Sequence, residues 1–271
     1  MKNLIKATVA ALCVSTIGAY GAAAQSCTPE HKFETINKGK LTVALTNTPP
    51  YSLEDNGAIS GIDGDLVKEF AKKNCLDITY EIFTYPAAVS AVQSERADIA
   101  LGGFYRTAAR EKVVTLSNPV YLDQLAVASI EGYDTLDQLK GKKVGTVEGY
   151  AWVTQMENEL EGSTTYPSSL NLAQDIQSKR IDAGLEGYGA AVVLNKNSNV
   201  KVRLLKADPR IKATTDASQT AFLLSKSNEA FINAVNATIE ADRSSGKLQE
   251  ILKKYDLDPS AATVGEAKVI K

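Results

Sequence analysis

Along this chain, runs with a two-residue apolar alternation give way repeatedly to runs with the spacing of an amphipathic helix. "GKLTVALT" (39–46), with Leu41, Val43 and Leu45, reads as a strand. "DGDLVKEFAKKN" (63–74) reads as a helix with Leu66, Val67 and Phe70 inward, followed by a strand in "LDITYEIF", a helix in "YPAAVSAVQSERA" and a strand in "DIALGGF". Strands separated by helices pair in parallel through crossovers, so the alternation dictates an α/β fold with sheets flanked by helices. Between the first strand and helix, "TPPYSLEDNGAISG" is a loop by its prolines and glycines.

The alternation begins afresh at Leu125, with strands in "QLAVASI", "KKVGTVEG" and "IDAGLEG". Helices fall in "TLDQLKG", "YAWVTQMENEL", "NLAQDIQSKR" and "YGAAVVLNKN". "TAFLLSKS" returns a strand, and "NEAFINAVNATIEADRSSGKLQEILKKYDLD" supplies closing helices. With no short-period repeat, a solenoid is disfavoured, and two α/β lobes with one closing segment describe the pattern. A chain of 271 residues can bury a core in each.

Lysine and arginine total 30 against 32 acidic residues, with no basic tract, so no nucleic-acid footprint is visible. "MKNLIKATVAALCVSTIGAYGAAAQ" carries Lys2 and Lys6, then an apolar run, then Ala22-Ala23-Ala24, which is a secretory signal peptide over 1–24 cut near Ala24. No later stretch approaches the roughly 18–20 apolar residues of a membrane span, so an exported, soluble mature chain is expected. Cys13 leaves with the leader, and Cys27 and Cys75 remain as an even pair in an oxidising space. A disulfide between them would tie the mature N-terminus to the end of the first helix; two unpaired thiols are the alternative.

One motif breaks a local rule. In "GGFYRTAAREKVV" (102–114), Thr107 reads as a helix cap, which puts Arg110 in the first turn. A cation there opposes the helix dipole by roughly 0.3–1 kcal/mol. A rule broken at this point marks a place where an anion is expected.

Four blocks carry a resemblance: "TPPYS" with "AISGIDGDLVKEFAKK", "RTAAREKVVTLSNPVY", "LKGKKVGTVEGYAW" and "SSGKLQEILKKY". In this order, over about Leu41 to Tyr255, the chain resembles the periplasmic solute-binding proteins for polar amino acids, the capture subunits of ABC importers. The resemblance implies two lobes, each a mixed, mainly parallel sheet flanked by helices and joined by two hinge strands. Lobe 1 would comprise 25–123 plus 221–271, and lobe 2 would comprise 124–220. It further implies a ligand held in the cleft, an inner-membrane permease as partner, a periplasmic location, a monomer, no cofactor and no metal.

Arg110 matches the arginine that in this family holds the ligand carboxylate, and its planar fork suits two parallel hydrogen bonds. N–H groups at or near Thr107 are expected to serve the same anion. Gly103 and Tyr105 fall where backbone groups meet the ligand, Tyr51 where a ring covers it, and Asn47 and Thr48 on the same wall. A core or hinge role is the alternative for Tyr51. Arg106 has no match and is read as a solvated or rim charge. On lobe 2, Gly149, Tyr150 and Ala151 stand where members often have Gly-Thr-Thr, and Trp152 fits either core or pocket. The family's ammonium-binding aspartate position is Gly187 here, so Glu186 is assigned the role; otherwise the amine is met differently, or the ligand is not an ordinary α-amino acid.

Cyclohexadienyl and arogenate dehydratases resemble the same family, so an enzyme is the first rival. His31, the only histidine, lies in the polar N-terminal lead, which argues against histidine chemistry but leaves carboxylate catalysis open. No metal-spacing cluster, phosphate-cradling glycine motif or nucleophile elbow is present in the sequence. A ligand-sensing module for a receptor is the other rival.

Overall fold

The computed structural model describes residues 27–271; the expected leader, with Cys13, lies outside the described residues. The elements in order are β1 (Lys40–Leu45), β2 (Leu53–Asp55), β3 (Ala58–Ser60), α1 (Gly61–Lys73), β4 (Asp77–Ile82), α2 (Tyr85–Gln93), β5 (Ile99–Tyr105) and α3 (Ala108–Val113). Next come β6 (Thr115–Leu116), β7 (Leu122–Asp123), β8 (Leu125–Ser129), α4 (Leu136–Leu139), β9 (Val144–Val147), α5 (Val153–Glu159), β10 (Thr164–Tyr166) and α6 (Ser169–Gln177). The chain continues with β11 (Ala183–Gly187), α7 (Tyr188–Asn195), β12 (Lys201–Leu204), β13 (Ser218–Leu224), α8 (Glu229–Ser244) and α9 (Lys247–Lys254).

Two sheets result. The first has the order β4-β1-β5-β13-β6, with β7 also on β13; the second has the order β10-β9-β11-β8-β12. Sheet membership changes between Asp123 and Leu125 and again between Leu204 and Ser218. Parallel pairing holds in β4-β1-β5 and β10-β9-β11, where helices make the crossovers. It stops at β8 and β13, which run antiparallel to their neighbours. Those two strands are entered by passage from the other sheet, with no helical crossover to impose a parallel direction.

The loop "TPPYSLEDNGAISG" contains the β2–β3 hairpin, turned at Asn56 and Gly57, both with positive φ (51° and 81°). The Asn-Gly pair is the sequence signal for such a turn. Strands β10 and β12 are short, largely exposed edges without apolar alternation, which is why no periodicity marks them. Under α1, α8 and α9 the first core packs Leu41, Ile62, Phe70, Phe231 and Leu252; burying each such side chain contributes roughly 1.5–3 kcal/mol.

Cys27 and Cys75 form a disulfide with a Cα–Cα distance of 5.8 Å and a sequence separation of 48. Closing a loop of that length stabilises the fold by about 4 kcal/mol in the chain-entropy limit. The Cys27→Ser/Cys75→Ser protein should therefore melt several degrees lower in calorimetry; an unchanged melting temperature would show that the reduced chain keeps the constraint by other contacts.

Candidate functional site

The first wall of the cleft is built from backbone held by one carboxylate. Asp63, in the first turn of α1, accepts hydrogen bonds from Gly102 N–H (2.9 Å), Gly103 N–H (2.8 Å) and the Tyr121 hydroxyl (2.9 Å). These bonds hold the end of β5, where Gly103 has φ 61° and an added Cβ would stand 2.8 Å from the Tyr51 ring. The start of α1 in turn fixes the Tyr51 loop, because Ile62 N–H donates to Pro50 O and Asp63 N–H to Tyr51 O. Gly61 permits that approach: its φ is 88°, and a Cβ there would lie 2.6 Å from Tyr51 O.

Arg110 stands at the seam between the lobes. The Thr107 hydroxyl caps α3 by accepting from Arg110 N–H (3.2 Å). The guanidinium is buried and lies 5.0 Å over the Phe104 ring; Nη1 donates to Tyr105 O (2.6 Å) and Nη2 to Gly149 O (2.9 Å). Burial pushes its pKa down to about 10, so it remains a cation at neutral pH. Two neutral carbonyls solvate this charge without balancing it, which leaves a buried cation suited to an anionic partner.

Of the N–H groups at the start of α3, that of Ala108 is taken by the C-terminal tail and that of Arg110 by the Thr107 hydroxyl, so neither of these two is directed at an anion. Ala108 N–H donates to Ile270 O, and Ile270 N–H to Arg106 O, so the C-terminal tail pairs with the chain at Thr107. Arg106 is not a solvated charge: it is buried, its Nε donates to Lys268 O (3.2 Å) and its Nη1 to Ser117 O. Lys268 O of the tail and Ser117 O beyond β6 supply the acceptors that water would have supplied. Asn47 is exposed, and its Oδ1 accepts Glu54 N–H (3.0 Å), so it braces the hairpin instead of the cavity wall.

Lobe 2 contributes an aromatic wall. The Tyr150 ring packs edge-on to Tyr85 (4.8 Å) and to Trp152 (4.9 Å), and Trp152 Nε1–H donates to Thr146 Oγ1 (2.9 Å). Gly149 has φ 72°, and a Cβ there would meet the Pro86 ring at 2.8 Å, so the two lobes touch at this point. Six residues expected from the sequence, Tyr51, Gly103, Tyr105, Arg110, Tyr150 and Ala151, line one small cavity of about 20 Å³ between the lobes. Tyr85, Asp123, Trp152 and Gly187 complete it. Gly149 and Thr107 serve it through Arg110, as carbonyl acceptor and cap.

Two carboxylates are buried here. Glu186 lies behind Tyr150 and is not on the cavity wall: Oε1 accepts the Tyr150 hydroxyl (2.6 Å) and Gly187 N–H (3.1 Å), while Oε2 has no hydrogen-bond partner among the described residues. Burial raises its pKa to about 7, against the lowering effect of Tyr150 and Ser169. Asp123, on β7, is on the wall, and sequence reasoning passed over it. The available signal was a charged side chain in "PVYLDQLAVAS", at the point where the chain leaves one sheet for the other.

The Glu186 shift has a definite pH consequence. A carboxyl whose folded pKa of about 7 exceeds its ordinary 4.5 binds a proton in the folded state that the unfolded chain has already lost. Stability therefore falls as pH rises through that window, by on the order of 1–3 kcal/mol in total. Asp63, raised to about 6 by burial, adds a slope of the same sign from about pH 4 to 6. Glu186→Gln should flatten the decline in melting temperature between pH 5 and 7; an undiminished slope would place its cause elsewhere.

A two-sheet α/β chain with a buried, unbalanced cation between its lobes has the form of a cleft-binding protein. Residues 41–258 match the family described as bacterial extracellular solute-binding proteins, family 3, and the chain belongs to it. The L-cystine-binding protein TcyJ of Escherichia coli (strain K12) is 26% identical over 229 residues, spanning 80% of this chain and 83% of that protein. ABC transporter arginine-binding protein 1 of the same strain is 25% identical over 234 residues, spanning 82% and 90%. Among solved structures, the amino acid ABC transporter substrate-binding protein AbpA from Streptococcus pneumoniae, bound to L-arginine, superposes with a TM-score of 0.72 at 25% identity, spanning 80% of this chain and 94% of that one.

Proposed function

We propose that this protein is a periplasmic binding protein that captures an amino acid or amino-acid derivative between its lobes and delivers it to the permease of an ABC importer. The single observation that carries this reading is the Arg110 guanidinium, buried at the seam and paired with no carboxylate among the described residues. A ligand carboxylate there would take the fork, and Arg110 already reaches from Tyr105 O on one lobe to Gly149 O on the other. Lobe 1 (25–123 plus 221–271) and lobe 2 (124–220) act as the closing bodies, with a ligand stabilising closure by contacts that only the closed form makes. Tyr51, Gly103 and Tyr105 form the lobe 1 wall, and Tyr150 with Ala151 the lobe 2 wall. Glu186 holds the Tyr150 hydroxyl in place.

The protein works without covalent chemistry, as a monomer exported by its leader and cleaved near Ala24. A thermal-shift screen of amino acids and opines tests the reading, because a ligand that binds only the folded chain raises its melting temperature. Turnover of prephenate or arogenate by the purified protein would overturn it in favour of an enzyme. Amino-acid uptake that survives deletion of the protein would leave it a sensor.

A further inference from the structure

The cavity wall carries an anion to match its cation. Asp123 is buried, and its carboxylate partners are uncharged: Oδ2 accepts the hydroxyls of Tyr51 (2.7 Å) and Tyr105 (2.8 Å), and Oδ1 lies 3.5 Å from Gly189 N–H at the start of α7. Three neutral donors fix its position without balancing its charge, the same condition in which Arg110 stands on the same cavity. Lobe 2 makes room for it. A Cβ at Gly187 would stand 2.6 Å from Asp123 Oδ2, and a Cβ at Gly189 would stand 2.7 Å from the Tyr51 hydroxyl. Two side chains are missing where Asp123 and its tyrosine brace approach the second lobe.

We propose that Asp123 is the residue that receives the cationic nitrogen of the ligand, so that the cleft selects zwitterions whose carboxylate meets Arg110. The inference rests on the binding function proposed above. Neither buried charge forms an ion pair among the described residues, and a zwitterion supplies a partner to both at once; a plain carboxylic acid or a plain amine leaves one of them without a partner. Tyr51 and Tyr105 spend their hydroxyl hydrogens on Oδ2, and both tyrosines line the cavity beside the carboxylate they hold. Gly187 is the permissive partner: a side chain there and the observed Asp123 position exclude one another.

The common L-amino acids and L-cystine, titrated by thermal shift and then calorimetry against the wild-type protein, supply the probes. The matching 2-hydroxy acid of each binder supplies its amine-free control. Asp123→Asn should weaken each amino-acid binder by at least roughly thirtyfold and erase the preference for amine over hydroxyl. Asp123→Ala combined with Gly187→Asp places a carboxylate on the other lobe at the same spot and should recover that preference. Asp123→Asn with affinity and preference intact would overturn the assignment. So would equal weakening of amino acid and hydroxy acid with no recovery in the double variant, since that pattern belongs to a purely structural residue. If no probe stabilises the wild-type chain, the binding function falls and Asp123 with it. If Arg110→Ala removes binding while Asp123→Asn does not, only Asp123 falls.

Discussion

Arg110→Ala is expected to lose ligand binding while the fold survives. Truncating one partner of a buried, hydrogen-bonded charge pair costs about 2–5 kcal/mol, which is roughly thirtyfold to several thousandfold in Kd. The folded chain without ligand should be nearly indifferent to the change. The guanidinium contributes two hydrogen bonds to carbonyls, and it also carries the cost of an unbalanced buried cation. Circular dichroism and melting temperature should therefore stay close to wild type while calorimetric binding disappears. Arg110→Lys separates charge from geometry: lysine keeps the cation but cannot present two parallel N–H donors to one carboxylate, so its affinity should fall between the two. Retained affinity in Arg110→Ala would remove the guanidinium from the site.

Asp63→Ala should have the largest effect on stability. It leaves the N–H groups of Gly102 and Gly103 and the Tyr121 hydroxyl without their acceptor in a buried setting. With each orphaned donor costing roughly 1–3 kcal/mol before relaxation, a total of about 3–5 kcal/mol is expected. For a chain of this size that lowers the melting temperature by on the order of 10 °C. Binding should weaken too, because Gly103 keeps its positive φ beside the Tyr51 ring only while its N–H is held. Asp63→Asn retains one acceptor oxygen and should lose less. A melting temperature unchanged in Asp63→Ala would mean that water or a shifted loop supplies the missing acceptor.

The residues that were legible in advance share one property: each announces itself through neighbours close in sequence. Thr107 capping Arg110 is a three-residue relation, and a misplaced charge in a first helical turn is visible without coordinates. The Asn56-Gly57 turn was equally local, but its prolines and glycines were read only as marks of a loop, which concealed the hairpin. Arg106 and Asn47 were misread for the opposite reason. Arg106 is satisfied by Lys268 O across 162 positions of chain, and no periodicity near Arg106 encodes that. Asn47 turns outward to Glu54 because its own φ of 48° aims the side chain away from the cavity. Glu186 and Asp123 show the same limit within the site. Sequence position put Glu186 beside the vacant aspartate position, but which of two buried carboxylates reaches the cavity depends on strand facing and on the hinge.

The sequence by itself determined the α/β class, the restart of the pattern after Asp123, the even cysteine pair and an arginine set against the helix-dipole rule. These rest on spacing, composition and capping, which act over a few residues and so survive without a structure. Tertiary structure alone decided that β8 and β13 run antiparallel to their neighbours and that the C-terminal tail takes the first N–H of α3. It also decided that Asp123, in place of Glu186, shares a cavity with Arg110. Burial and charge compensation are set by groups distant in sequence, and they exist only once two lobes and the passages between them have been packed together.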